Sequence, residues 1–272
     1  MTAVQTAPYD VEAPSRSRGR IAATLLPVLG VVVALAVWWL SVIVFDIKEI
    51  ILPAPDKVLE AYNRQSDYML EQSWITLVRI LTGFAMSVVA GVLIGLAIAA
   101  SRTVERMFNP LLVAVNAIPK IAIGPLLVAW LGFGHKPVLV MIFLVCFFPI
   151  VLSTATGLTT TPTDMAELVR SMDATRWQAF GKVRFPAALP QIFVGLKVGM
   201  PLAAIGAVVG EFLPGSDAGL GYVIQQTSGI GDTALAVAAI VLLAIMTIVL
   251  FYALVAAEHL LLPWVREITS QR

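Results

Sequence analysis

The sequence DMAELVRSMDATRWQAFGKVRFPAALP, residues 164–190, is a polar island between long apolar stretches. It carries two helix-start signals in succession, because Asp164 with Glu167 and Thr175 with Gln178 both have the spacing of a capping box. The pattern therefore predicts two short helices in tandem. Helices this short cannot bury their apolar stripes alone, so the segment must pack on the rest of the chain or on a partner.

The two predicted helices meet at a bend formed by Asp173 and Ala174. The second helix is expected to end before Pro186, because the residue that precedes a proline avoids the helical region. Each helix has an apolar stripe at helical spacing. The stripe residues are Met165, Leu168, Val169 and Met172 in the first helix, and Trp177, Phe180 and Val183 in the second.

The composition excludes an ordinary soluble protein. The chain has 272 residues, of which 59% are hydrophobic and 13% charged, and its mean hydropathy is +0.90. These values indicate an all-α integral membrane protein. The net charge of +1 and the dispersed basic residues give no indication of nucleic-acid binding. The sequence has no Walker-type phosphate-binding motif, so it is not predicted to hydrolyse ATP and we do not expect it to be an enzyme.

Six apolar runs are long enough to cross a bilayer core of about 30 Å. They comprise about residues 21–45, 74–100, 109–131, 138–158, 191–213 and 233–262. Residues 1–20 are predicted to be a disordered cytoplasmic tail, residues 21–265 a single transmembrane domain, and residues 266–272 a second cytoplasmic tail. The loop at 159–190 contains the polar island.

The distribution of basic residues predicts the orientation. With the N-terminus inside, eleven of the 18 Lys and Arg residues lie in inner segments and four in outer loops. This asymmetry fits the positive-inside rule. It places both termini and the polar island in the cytoplasm.

The polar island resembles the EAA coupling loop of ABC importer permeases. ATRWQ at 174–178 and PAALP at 186–190 match this pattern, whereas Asp173 stands where the family has Gly. LPAPDKVLEAY at 52–62 and NAIPKIAIGPLLVAWLGFG at 116–134 are similar to the taurine, nitrate and sulfonate branch. The resemblance implies coupling to an ATPase through Glu167, Leu168, Arg170, Ser171, Asp173, Ala174, Thr175, Arg176, Trp177, Phe180, Pro186 and Pro190.

This resemblance implies a six-helix type I importer permease in the bacterial inner membrane. Its implied partners are a cytoplasmic ATPase dimer that binds ATP and Mg, an extracytoplasmic solute-binding protein and a second permease copy. No cofactor is expected in this chain itself. The implied solute is a small anion such as a sulfonate, taurine or nitrate, or a pyrimidine-type vitamin precursor. The alternative is a secondary transporter or channel that works without ATP.

The third apolar run is predicted to line the solute pathway. Pro119 and Pro125 interrupt it, and a broken helix is tolerated in a membrane only beside protein or a watery cavity. Asn116 and Lys120 are four residues apart and are predicted to contact an anionic or hydrogen-bonding solute. The structural alternative is that Lys120 snorkels to an interface or pairs with Glu211. Glu211 is itself a candidate pathway residue.

Other polar residues have more ordinary interpretations. Arg79 and Lys197 are predicted to snorkel towards the span ends. The segment after Glu211 is predicted to be an outer gate, a docking surface or a flexible loop. A stripe of small residues is predicted to pack helices within the subunit or between two copies, and comprises Gly83, Ser87, Gly91 and Gly95. No metal site is expected, because neither histidine has a second ligand at metal spacing.

Overall fold

The computed structural model describes residues 16–160, 171 and 174–264, and every regular element in these ranges is helical. The helices that precede the polar island are α1 (Arg16–Val44), α2 (Pro55–Arg64), α3 (Ser66–Ala99), α4 (Arg102–Asn116), a 3₁₀ turn (Lys120–Ile123), α5 (Gly124–Leu131) and α6 (His135–Thr159). After it come α7 (Arg176–Ala179), a π-helical turn (Phe180–Arg184), α8 (Phe185–Glu211), α9 (Leu220–Ile230) and α10 (Thr233–Leu261).

Four helices in the described ranges are long and apolar enough to cross a membrane. They are Ser66–Ala99, His135–Thr159, Phe180–Glu211 and Thr233–Leu261. Thr103–Asn116 and Lys120–Leu131 are together long and apolar enough for a fifth span, and they meet at a bend of 73°. The first predicted span corresponds to α1. Its part Val28–Val44 is an apolar helix that is shorter than the four spans above. The six-span topology and the cytoplasmic termini therefore stay predictions.

The core forms where α6 packs between α3 and α8. Glycines allow the helix backbones to approach closely, as small residues do in many membrane helices. A Cβ at Gly206 of α8 would lie 2.8 Å from the Cα of Ile142, and one at Gly91 of α3 would lie 2.8 Å from the Cγ2 of Ile150. Gly83 and Gly95 also face α6 side chains. The small-residue stripe of α3 therefore packs within the subunit.

The loop at 159–190 is named the coupling segment for the role that its resemblance implies. Its described end and the fifth predicted span form one uninterrupted helical path from Arg176 to Glu211. The expected helix end before Pro186 was wrong, because Phe185 has helical φ and ψ of −66° and −48°. Proline lies in the first turn of α8, where its missing N–H does least harm. The preceding π-helical turn also lets the amide of Phe185 donate to the carbonyl of Phe180, five residues back.

A second apolar cluster lies at the opposite end of α8 from the coupling segment. It joins α2, the start of α3, α9 and the start of α10. Asp232 caps α10 by accepting a hydrogen bond from the amide of Leu235 at 3.2 Å. The same carboxylate forms an exposed ion pair with Arg64 of α2 at 3.2 Å. These contacts hold the short helices α2 and α9 against the long ones.

Candidate functional site

A buried polar cluster connects α3, the end of α8 and the start of α9. The Glu211 side chain has no exposed surface, and its carboxylate accepts hydrogen bonds from Thr76 Oγ1 at 2.9 Å and from Arg79 Nη1 at 3.1 Å. The backbone amide of Gly221 donates to the second carboxylate oxygen at 2.8 Å. Arg79 also donates to the carbonyl of Ala218 at 2.6 Å. The buried charge is therefore paired and hydrogen-bonded on both oxygens.

The backbone that leads into α9 is anchored to α3 by the same cluster. The amide of Gly219 donates to Gln72 Oε1 at 2.6 Å, and that of Leu220 donates to Thr76 Oγ1 at 2.8 Å. Gly219 has a φ of +105°, and a Cβ at this position would overlap the Glu211 carboxylate. A glycine is therefore required here for both its conformation and its lack of a side chain.

This cluster bears on several of the sequence-based interpretations. Arg79 does not snorkel, because its side chain is 10% exposed and is paired with Glu211. Glu211 faces the interior of this subunit, and its pathway role stays a prediction. It also does not pair with Lys120. The segment after Glu211 is not a loop that is free throughout, because residues 218–221 are held by α3 and by Glu211.

The break at Pro119 brings Asn116 and Lys120 together across a non-helical turn rather than along one helical face. Helix α4 ends at Asn116, and Pro119 adopts an extended conformation at the break. Pro125 lies in the first turn of α5 and not in a helix interior. Lys120 Nζ donates to Asn116 Oδ1 at 2.7 Å and to the Asn116 carbonyl at 3.2 Å. The ammonium also lies 5.2 Å from the ring centroid of Phe148. The break therefore presents a half-buried cation.

A second interhelical ion pair joins α8 to α10. Lys197 Nζ lies 2.8 Å from one carboxylate oxygen of Glu258 and 3.0 Å from the other. The side chains are 26% and 17% exposed. The snorkelling predicted for Lys197 is therefore replaced by an ion pair. Glu258 lies in the last turn of α10, so the pair ties the end of that helix to α8.

We expect Lys197→Glu to lower the thermal stability of the purified protein, because it places two carboxylates in contact between α8 and α10. Removing one partner of a fully buried pair costs about 3–5 kcal/mol, and the partial exposure of this pair reduces that to about 1–3 kcal/mol. The double variant Lys197→Glu with Glu258→Lys should recover most of the loss in a thermal-unfolding assay. A double variant no more stable than Lys197→Glu would show that the pair is not what holds these helices together.

The coupling segment is described at residues 159, 160 and 171 and continuously from Ala174 onwards. The second predicted capping box is confirmed, because the amide of Thr175 donates to Gln178 Oε1 at 3.0 Å and that of Gln178 donates to Thr175 Oγ1 at 3.3 Å. The Phe180 and Phe185 rings lie 6.1 Å apart at the start of α8. The predicted coupling residues Glu167, Leu168, Arg170 and Asp173 lie outside the described residues. Only the backbone of Arg176 and Trp177 is described.

Residues 87–267 match the family model of the binding-protein-dependent transport system inner membrane component. The chain belongs to this family. It is an ABC transporter permease, a multi-pass protein of the inner membrane. No group of three metal-binding side chains occurs within the described ranges.

The relatives of this permease include proteins named as transport permeases. It is 34% identical over 241 residues to the formylaminopyrimidine transport permease ThiX of Halalkalibacterium halodurans, covering 88% of this chain and 96% of the relative. It is 33% identical to the riboflavin transport system permease RibX of Chloroflexus aurantiacus, and the match covers 88% of this chain and 91% of the relative. It is 29% identical to the taurine transport permease TauC of Escherichia coli, and the match covers 87% of this chain and 88% of the relative. These relatives are transport permeases rather than enzymes.

The fold of the permease is that of known ABC transporters. An inward-facing structure of the MetNI methionine ABC transporter aligns with a TM-score of 0.60 and 21% identity. The alignment covers 74% of this chain and 98% of that chain. The similarity supports the type I permease fold predicted from the sequence.

Proposed function

We propose that this permease forms the solute pathway of an ATP-driven importer and is moved by a cytoplasmic ATPase dimer through the segment at 159–190. The continuous helical path from Arg176 to Glu211 is the observation that carries the proposal. A helix that begins in a cytoplasmic segment and ends in the buried cluster at the outer end of α8 transmits a displacement as a rigid element. Its apolar stripe and its charged residues suit a cleft with a polar rim on the ATPase.

The second part of the proposal concerns the other partners. A second copy of this permease would complete the pathway, and a solute-binding protein would dock on the outer surface. A cavity of about 380 Å³ supports this docking surface, because it lies between α2 and the start of α10. Charged side chains of both signs line it, including Lys57, Glu60, Arg64 and Asp232. Complementary charges at a rim steer association and fix orientation.

The pathway is proposed to follow the break between α4 and α5. Asn116, Pro119 and Lys120 lie at this break, and Pro125 follows in α5. Backbone that leaves a helix within a membrane requires protein or water to satisfy its polar groups. The relatives are named for solutes of two kinds. The first kind carries a negatively charged group and comprises nitrate, aliphatic sulfonates and taurine. The second kind comprises the larger formylaminopyrimidine and riboflavin. Both solute classes are therefore candidates.

The proposal is tested by reversing charges in the coupling segment. We expect Glu167→Arg or Arg176→Glu to abolish most ATP-dependent uptake and most of the ATPase stimulation, because like charges would then meet at the rim of the ATPase cleft. The assay is uptake and ATP hydrolysis by proteoliposomes that contain the complete transporter. Lys136→Glu, at an exposed position in the first turn of α6 and outside the proposed docking surface, serves as a charge-reversal control for the ATPase contact.

The same preparation separates the importer from its rival. Purification of the tagged permease is expected to bring a stoichiometric ATPase with it, and the charge-reversed variants should lose that ATPase while remaining inserted in the membrane. A secondary transporter or channel would instead move solute in proteoliposomes without ATP. Uptake by the purified chain alone, unaffected by Glu167→Arg, would refute the proposed coupling.

A further inference from the structure

The ammonium group of Lys120 has no acidic partner among the side chains that the structure describes. The ion pairs found there involve Lys57, Arg64, Arg79 and Lys197. Lys120 Nζ instead contacts the amide oxygen and backbone carbonyl of Asn116 and the face of the Phe148 ring. Its positive charge is therefore met by dipoles and a ring quadrupole rather than by an opposite charge.

The position of this cation along the span makes its environment unusual. Phe148 is 13 residues from His135 and 11 from Thr159, the two ends of α6. At about 1.5 Å per residue, each end lies about 15–20 Å away along the helix. A cation near the middle of a span is costly, and such residues generally face a cavity or a pathway. The break in the α4–α5 span lies at the same depth, because Lys120 contacts Phe148.

Part of the Lys120 environment has a structural explanation. Asn116 is the last residue of α4, so its carbonyl lies at the negative end of the helix dipole, where a cation is favourable. Two of the three ammonium N–H groups are used by Asn116, however, and the third has no acceptor among the residues that the structure describes. Glu211 does not accept it, because its fully buried carboxylate lies in the separate cluster with Thr76, Arg79 and the Gly221 amide.

We infer that Lys120, with Asn116 and Phe148, forms a contact site for a negatively charged group of the solute. This inference rests on the proposed role of the α4–α5 break as part of the pathway. A sulfonate, a carboxylate or nitrate would accept the remaining ammonium hydrogen as a short, charge-assisted bond. The Phe148 ring would limit the space on the other side of the cation. Among the two candidate solute classes, the site selects the anions.

The inference is tested without knowing the solute by thiol labelling at a neighbouring position. Ile121 is 61% exposed and adjacent to Lys120, and Cys146 is the one cysteine of the chain. Ile121→Cys in a Cys146→Ala background is reconstituted into proteoliposomes. It is then treated with either the anionic sulfonatoethyl or the cationic trimethylammonioethyl methanethiosulfonate. Each rate is divided by the rate of that reagent with free cysteine.

We expect the anionic reagent to react faster relative to the cationic one. Lys120→Gln should reduce the anionic-to-cationic rate ratio by roughly fivefold, since removing one unit charge from the adjacent residue has an effect of that order in a partly aqueous site. Lys120→Arg, which keeps the charge, should preserve the ratio. Lys48→Gln, in the segment between α1 and α2, is the matched control and should leave it unchanged.

Two results would overturn the inference. If the Ile121→Cys variant reacts with neither reagent, its thiol faces lipid or packed protein, because a thiol there stays protonated and unreactive. An unchanged ratio in Lys120→Gln would show that Lys120 only caps α4, and a lower thermal stability of that variant would accompany it. Neither outcome depends on ATP or on an ATPase, so failure of this site is distinguishable from failure of the proposed coupling.

Discussion

Replacing Glu211 by glutamine is expected to destabilise the permease by about 3–5 kcal/mol, as is typical when one partner of a buried ion pair is removed. The substitution keeps the shape of the side chain but leaves the Arg79 guanidinium buried without a counter-ion. It also weakens the contact that holds the Gly221 amide at 2.8 Å. Thermal unfolding of the purified protein in detergent, followed by tryptophan fluorescence, measures the effect.

A double-mutant cycle separates the ion pair from the rest of the cluster. Arg79→Met alone leaves the Glu211 carboxylate unpaired and should be as harmful as Glu211→Gln. The combination of both should be markedly less destabilising than the sum of the two, because no buried charge is then left uncompensated. Arg64→Met, which removes an exposed ion pair with Asp232, is the matched control and should cost at most about 1 kcal/mol. Additive losses would contradict the assigned pairing.

The second large effect is expected at Gly206, where α8 touches the backbone of α6. Gly206→Ala would place a Cβ 2.8 Å from the Cα of Ile142, and this neighbour cannot rotate away. The helices would have to separate, at a cost of about 1–3 kcal/mol for overpacking of this kind. The same thermal-unfolding assay measures the loss.

Two other glycines provide a graded comparison for Gly206→Ala. A Cβ at Gly199 would lie 3.3 Å from Phe84 Cε2, the end of a side chain, so Gly199→Ala should cost less. A Cβ at Gly229 in α9 would meet nothing within 4 Å. Gly229→Ala should therefore be neutral or slightly stabilising, since alanine favours a helix. Equal effects at Gly206 and Gly229 would show that close packing of α6 on α8 is not what requires the glycine.

Much of the fold could be predicted because the signals are local. Apolar runs predicted α3, α6, α8 and α10 as spans. The α3 and α8 helices start several residues before their predicted limits, whereas α10 matches its predicted limits to within one residue. The break near Pro119 was predicted from the effect of proline on a helix. The capping box at Thr175 and Gln178 was predicted from a spacing of three residues and is confirmed.

The continuous helix through Pro186 could not be predicted from the same local rules. The residue before a proline usually avoids the helical region, and this preference alone favours a helix end at Phe185. The π-helical turn at Phe180–Arg184 removes the conflict by changing the hydrogen-bond register. Packing of α8 on α6 stabilises the helix on the other side of the proline. Tertiary contacts therefore outweighed the local preference.

The partners of the charged residues within the spans also could not be identified from the sequence. Arg79 and Glu211 are 132 residues apart, and Lys197 and Glu258 are 61 apart. One signal was available, because an acid inside an apolar span requires a partner and Gly219 and Gly221 follow it closely. That signal indicates a buried contact near Glu211. It does not identify which of the basic residues provides it.

The sequence by itself determined that this protein lies in a membrane, where its long apolar helices run and that a capping box starts a helix at Thr175. These properties depend on side-chain hydropathy and on hydrogen bonds between residues three or four positions apart. The tertiary structure alone decided that Arg79 belongs to Glu211, that Lys197 belongs to Glu258 and that the glycine stripe of α3 faces α6. Helical periodicity shows which residues share a face, but only the packing of distant helices selects what that face meets.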